Sequence, residues 1–215
     1  MTALEKVLAA FVAKTPTQEN EKDFDKIAIT LLENSKIVVG NASFIVKECE
    51  LFLYHELHKD AFIHNRKYTF VTKQQEFGEW CFYHFKNPRL YPKHKHSGVE
   101  LTFGDNKQIS ASVLLKRLYW VEENRFIEGT NTIAQTFLSL IGIAEVERIA
   151  TTSGKFAFDQ TSPIHIEDNK VENPATIFKG AREFKTLTKM KNPDELAFIG
   201  SFYRYFNDKA FVVVK

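Results

Sequence analysis

The stretch Phe44-Ile45-Val46-Lys47-Glu48-Cys49-Glu50-Leu51-Phe52-Leu53 decides how this chain is read, because it is a run of strand formers with carboxylates at alternate central positions. β-branched and aromatic residues favour an extended, pleated backbone, in which successive side chains point to opposite faces. Glu48 and Glu50 therefore share one face. A strand with one solvated face alternates in this way, and that is the plain account of the two glutamates. The other account takes Glu50 as embedded among Leu51, Phe52 and Leu53, where a carboxylate needs a partner or a chemical task.

Periodicity places this strand in an α+β fold. Leu4, Val7, Leu8, Phe11 and Val12 fall on one face of an amphipathic helix within residues 1–14, and Phe24, Ile27, Ala28, Leu31 and Leu32 repeat the pattern. Residues 36–40 read as a strand ending at Gly40. Further strands are predicted at 44–52, 79–85, 98–103 and 110–118, and at 119–121 before the turn Glu122-Glu123-Asn124. Helical signal returns at 132–141, with Gly142 as its stop, and at 144–149. The tail holds a turn at Asn173-Pro174, a helix from Pro193 capped by Asn192, and a last strand at 210–214. The expected architecture is one domain over residues 1–215, a central, mainly antiparallel curved sheet flanked by helices, with residues 1–22 as an N-terminal elaboration.

Composition sets the outer limits. A chain of 215 residues that is 44% hydrophobic can bury a substantial core. With 29 basic and 27 acidic residues the net charge is +2, so attraction to nucleic acid would have to be local. The two cysteines, Cys49 and Cys81, are too few for a secreted disulfide framework, which favours an intracellular setting. No window approaches the roughly 18 apolar residues that mark a membrane-spanning helix, and no membrane partner is expected.

Several pieces in order carry a resemblance: Ile45-Val46, then Glu50-Leu51-Phe52-Leu53, His64, Val113-Leu114-Leu115-Lys116 and Glu128-Gly129-Thr130-Asn131. Over roughly residues 27–140, with an echo at Phe202-Tyr203-Arg204, the chain resembles the alkyladenine (3-methyladenine) DNA glycosylase family. The resemblance implies an intracellular, monomeric repair enzyme, cytoplasmic in a prokaryote or nuclear in a eukaryote, acting on double-stranded DNA with a damaged base. It makes Glu50 the acid that activates water at the sugar carbon, and Lys116 the cation beside it, where the family has arginine. Lysine keeps the charge and loses the two-pronged geometry. Phe52 and Phe82 stand where the family stacks tyrosines on the extruded base, and His64 where a histidine contacts it. Phe85 stands where a tyrosine fills the gap left by the base, with Tyr83 or His84 as neighbours able to take that part. Thr102, beside Leu101, falls in the zone of a base-discriminating asparagine. Arg117 follows Lys116, and since adjacent strand residues face opposite ways, one of the two is expected to face solvent.

A basic segment supports nucleic-acid binding on its own terms. Between His84 and His96 the chain offers Lys86, Arg89, Lys93 and Lys95 interleaved with Phe85 and Tyr91, with no acidic residue. Cations attract phosphates and aromatics stack on bases, while a solvated hairpin loop is the plain alternative. The pairs His55/His58 and His94/His96 lack a third ligand at zinc-site spacing, so no metal is expected. No phosphate-cradling loop, dinucleotide fingerprint or Gly-x-Ser-x-Gly elbow occurs, and no cofactor is expected. The leading expectation is a monofunctional glycosylase that flips a damaged purine and hydrolyses its N-glycosidic bond. The alternatives are a non-catalytic nucleic-acid-binding module of the same fold and an enzyme acting on free nucleosides.

Overall fold

The computed structural model describes residues 1–14, 20–60, 76–85, 96–105, 107–143, 156–170, 176–182, 201 and 203–207. In chain order their elements are α1 (Ala3–Val12), α2 (Glu21–Glu33), β1 (Ser35–Val39), β2 (Ala42–His55), β3 (His58–Lys59), β4 (Phe77–Phe85), β5 (His96–Phe103), β6 (Ser110–Trp120), β7 (Arg125–Glu128), α3 (Thr130–Leu140), β8 (Ile164–Asp168), β9 (Phe178–Gly180) and β10 (Arg204–Phe206). The helix expected at 144–149, the turn at 173–174, the helix near 192–196 and the strand at 210–214 lie outside the described residues.

The sheet is antiparallel in every described pairing and runs β4-β5-β6-β2-β1-β8, with β10 and β3 also pairing with β2, β7 with β6, and β9 with β10. It curls into a half-barrel flanked by helices, an α+β fold as expected. The segment at 156–158 links the two ends of the strand order. Phe156 bridges Glu79, Ala157 N–H donates to Gly78 O at 2.6 Å, and Ile166 N–H donates to Ala157 O at 2.7 Å. The Trp80 indole N–H adds a bond to Ile164 O at 2.9 Å.

The helices form for local reasons and stay for tertiary ones. Thr2 caps α1 in a reciprocal box: its hydroxyl accepts from Glu5 N–H at 3.1 Å, and the Glu5 carboxylate accepts from Thr2 N–H at 3.3 Å. Leu4, Leu8 and Phe11, spaced four and three apart, are buried in the same core as the sheet. Phe11 meets Phe24 of α2 at 6.0 Å and Phe103 of β5 at 5.6 Å between ring centres. Burying each such side chain contributes about 1.5–3 kcal/mol. α3 ends in a Schellman motif: Gly142, at φ +69°, donates to Ser139 O and Ile143 N–H donates to Leu138 O. The stop expected at Gly142 is this motif.

Turn chemistry sets the register of β2. β1 and β2 are joined by Gly40-Asn41, with Val39 opposite Ala42 and Gly40 at φ +58°. A two-residue hairpin with its left-handed residue first is the type II′ arrangement, which matches strand twist and needs glycine there. The pairing this starts keeps Ile37 and Phe44 in the core.

Gly78 combines two demands. Its φ of +70° disfavours any side chain, and a Cβ there would lie 2.9 Å from the Phe158 ring. At Gly40 the nearest atom would be 3.5 Å away. Gly40→Ala is therefore expected to cost about 1–2 kcal/mol, the left-handed penalty alone. Gly78→Ala should cost a further 1–3 kcal/mol or so from overpacking. Urea unfolding of the two variants side by side checks the order, and equal costs would show that Phe158 moves aside freely.

Candidate functional site

β2 is buried on both faces, which is why its alternation matters. One face carries Val46, Cys49, Leu51 and Leu53 into the main core. On the other, cross-strand register aligns Cys81, Glu100, Leu114, Glu50 and Arg204 in one row, and Glu79, Thr102, Ser112 and Phe52 in the next. Glu50 is 3% exposed, and Glu100, Thr102 and Ser112 are buried beside it. The plain account of Glu50 as a solvated residue does not hold.

The resemblance paired Glu50 with Lys116, and the structure brings them together. Lys116 Nζ stands 3.5 Å from Glu50 Oε1, with the lysine side chain 18% exposed. Phe52 and Leu114 form an apolar cluster of their own, apart from the main core, with Tyr54 packed against it. A buried carboxylate, a nearby ammonium and an aromatic ring thus share one sheet face.

The expected division between Lys116 and Arg117 needs correction. Arg117 does not face solvent. It is buried, with its guanidinium 4.0 Å from the Phe126 ring centre and its Nε 3.1 Å from Glu128 Oε1. The reason is a β-bulge: Val46 pairs with Leu118, Glu48 with Arg117 and Cys49 with Leu115, so Lys47 and Lys116 fall between paired positions. A bulge re-aims side chains, and strict alternation fails there. Both cations are thereby tied to carboxylates, Lys116 to Glu50 and Arg117 to Glu128.

Phe82 and Thr102 stand differently from Phe52. Phe82 pairs with Val99 and packs against the main core, on the face away from Phe52. Thr102 lies on the Glu50 face, where its hydroxyl donates to Glu79 O at 3.1 Å. The backbone of Tyr83, His84 and Phe85 continues β4 opposite Gly98, Ser97 and His96. His64, Lys86, Arg89, Lys93 and Lys95 lie outside the described residues. Both cysteines are free and buried, and burial pushes the Cys49 thiol well above its usual range. Among the described residues no group of three or more His, Cys, Asp and Glu is placed to hold a metal ion, and no helix is long and apolar enough to cross a membrane.

A second set of residues escaped the sequence reading and flanks Phe52. β10 pairs with β2 up to Glu50, with Leu51 N–H donating to Tyr203 O at 2.9 Å, and β3 takes over at Tyr54. In that interval Arg182 Nη1 donates to Leu51 O at 3.2 Å. Its guanidinium carbon stands 4.8 Å from the Phe52 ring centre and 5.3 Å from that of Tyr203. Asp60 balances its charge at 2.5 Å, both side chains having no solvent exposure. Nothing local in the sequence links Asp60 to a residue 122 positions away. Glu100 was more legible, since it alternates with Val99 and Leu101 as Glu50 does with its own neighbours.

His58 completes the edge of this region. Its Nδ1 meets Leu53 O at 3.0 Å and its Nε2 meets the Tyr203 hydroxyl at 3.0 Å. A carbonyl only accepts, so Nδ1 carries the proton and, in the neutral ring, Nε2 accepts from the tyrosine. Burial holds the His58 pKa below its ordinary value, Asp60 opposing.

Breaking the buried pair with Asp60→Asn leaves Arg182 charged and uncompensated, and should cost about 3–5 kcal/mol in urea unfolding. A loss under 1 kcal/mol would mean that water reaches the guanidinium. For His58 the unfolded chain binds more protons than the folded one between the depressed pKa and the ordinary value of about 6.5. Its contribution is thus complete above that pH and declines as pH falls below it. The fall in unfolding midpoint from pH 7.5 to 5.5 should be smaller in His58→Gln than in wild type, and equal falls would acquit His58.

No model of a known protein family and no curated protein matches this chain.

Proposed function

We propose that the protein is a monofunctional DNA glycosylase, a distant relative of the alkyladenine glycosylases, that flips a damaged purine and hydrolyses its N-glycosidic bond. The observation that carries this reading is the placement of Glu50, buried on the non-core face of the sheet with Lys116 3.5 Å away and the Phe52–Leu114 cluster alongside. A solvated strand face needs no such burial, and a purely structural interior would be filled more cheaply by apolar side chains.

In this mechanism the Glu50 carboxylate accepts a proton from water, whose oxygen bonds to the anomeric carbon. The carbon–nitrogen bond breaks, its electron pair leaves with the base, and the departing nitrogen takes a proton from solvent. Charge develops on the sugar as the bond loosens, and a fixed carboxylate stabilises it where little water competes. Lys116 anchors the carboxylate, and the Phe52 ring offers a surface on which a flipped base stacks. Extrusion costs a few kcal/mol, less for a damaged or mispaired base, and part of the selectivity comes from that difference.

Single-turnover release from duplexes carrying hypoxanthine, ethenoadenine or 3-methyladenine tests the reading. Glu50→Gln should lower the rate by about 10²–10⁴ without losing the fold. Unchanged release would sink the mechanism. Silence from wild type and variant alike, together with salt-sensitive binding, would point to the non-catalytic module, and preference for free nucleosides over duplex to the third alternative. Lys116→Met should slow release on the order of tenfold if it anchors Glu50. A Lys116→Met enzyme as fast as wild type, at equal thermal stability, would remove Lys116 from the site.

A further inference from the structure

Phe52 is only 6% exposed, and a cation already sits against its ring. Arg182 is held on three sides: by Asp60 at 2.5 Å, by Leu51 O at 3.2 Å, and between the rings of Phe52 and Tyr203 at 4.8 and 5.3 Å. It fills the interval on the edge of β2 between the end of β10 pairing at Glu50 and the start of β3 pairing at Tyr54. Leu51, whose carbonyl it binds, lies between Glu50 and Phe52. The group that satisfies the strand edge therefore also fixes the stacking ring.

An aromatic ring attracts a cation through the negative potential of its face. A guanidinium on one face uses that potential, and its charge opposes a second cation stacked on the other. A neutral base loses nothing of this kind, since offset stacking does not require net charge. Damaged purines divide along this line: hypoxanthine and ethenoadenine are neutral, whereas ring-methylated purines such as 7-methylguanine carry a positive charge.

We infer that Arg182 is a specificity-determining residue that biases the Phe52 surface toward neutral damaged bases and against cationic ones. The inference rests on the glycosylase reading. Asp60 offsets part of the guanidinium charge without being the group in contact with Phe52. Glu50 with Lys116, Glu48 with Arg204, and the buried Glu79 and Glu100 also bear on a bound base. Their contribution is the same whether or not the Asp60–Arg182 pair is charged, so changing that pair isolates the effect of the pair, and Arg182→Lys tests the cation within it.

The experiment is the ratio of single-turnover release rates for hypoxanthine and 7-methylguanine in otherwise identical duplexes. The paired substitution Asp60→Asn with Arg182→Gln removes both charges, leaves no lone buried ion and keeps a donor for Leu51 O. It should move the ratio toward 7-methylguanine on the order of tenfold. Arg182→Lys, which keeps the cation, should hold the ratio near that of wild type. Introduced into Phe52→Leu, the same pair should leave the ratio unmoved, because no ring remains to transmit the effect. Asp60→Asn with Arg182→Met serves as a second neutral pair, and thermal unfolding verifies that the proteins compared are folded. Release of both bases with an unmoved ratio overturns this inference alone. No release of either base by the wild type overturns the glycosylase reading and this inference together.

Discussion

β2 runs for fourteen residues through the sheet, and no single strand accompanies one of its edges for that length. Each N–H and C=O along it must still find a partner, because an unpaired buried backbone group costs as much as a lost hydrogen bond. On one side β6 pairs from Phe44 to Tyr54. On the other the task passes from β1 to β10, then to Tyr203 O and Arg182, then to β3. Residues scattered from Ile37 to Phe206 are thus gathered on one strand. That relay brings the C-terminal part of the chain next to Glu50.

The relay also accounts for the region's polarity. Supplying a donor for Leu51 O with a guanidinium puts a cation in the interior, and the cation in turn requires Asp60. Next to it Tyr203 takes His58, whose second nitrogen reaches back to Leu53 O. Tyr205, on the same short strand as Arg204, donates to Asp25 of α2 at 2.9 Å, and Lys179 of β9 meets the other oxygen of Asp25 at 2.5 Å. Burial and that carboxylate push the Tyr205 hydroxyl far above its usual pKa, so it stays protonated and remains a donor. β9 and β10 have three residues each, and such side-chain bonds help hold elements too short to stand alone.

Much of this was legible in the sequence where one period ran long enough. α1, α2, α3 and strands β1, β2, β4, β5 and β6 show their apolar repeats plainly, and Gly40 and Gly142 mark ends that demand positive φ. β3, β7, β8, β9 and β10 were missed because two to five residues carry too little period to separate a strand from a loop. The nearness of Glu50 and Lys116 came from a resemblance and not from spacing. The expectation that one of Lys116 and Arg117 faces solvent failed because the bulge at Lys47 and Lys116 cannot be read from alternation. Phe82 and Phe52 are both aromatic strand residues, and only register, with Phe82 on Val99 and Phe52 on Ser112, puts them on opposite faces. Asp60 and Arg182 meet through tertiary structure alone, which no local pattern encodes.

The ion pairs around β2 differ in a way that bears on where chemistry can occur. Arg182 meets Asp60 at 2.5 Å, Arg204 meets Glu48 at 2.7 Å, and Arg117 meets Glu128 at 3.1 Å. Each uses a guanidinium, whose charge is permanent, and Arg182 and Arg204 hydrogen-bond their carboxylates. Such pairs are poor places for a proton to arrive or a substrate to intervene. The pair of Glu50 with Lys116 is the looser one at 3.5 Å, and its cation is a compact ammonium on a flexible stem. A lysine tolerates rearrangement that an arginine resists, and this pair shares its sheet face with the apolar cluster of Phe52 and Leu114. In these four pairs, Glu50 is the carboxylate whose partner is an ammonium rather than a guanidinium.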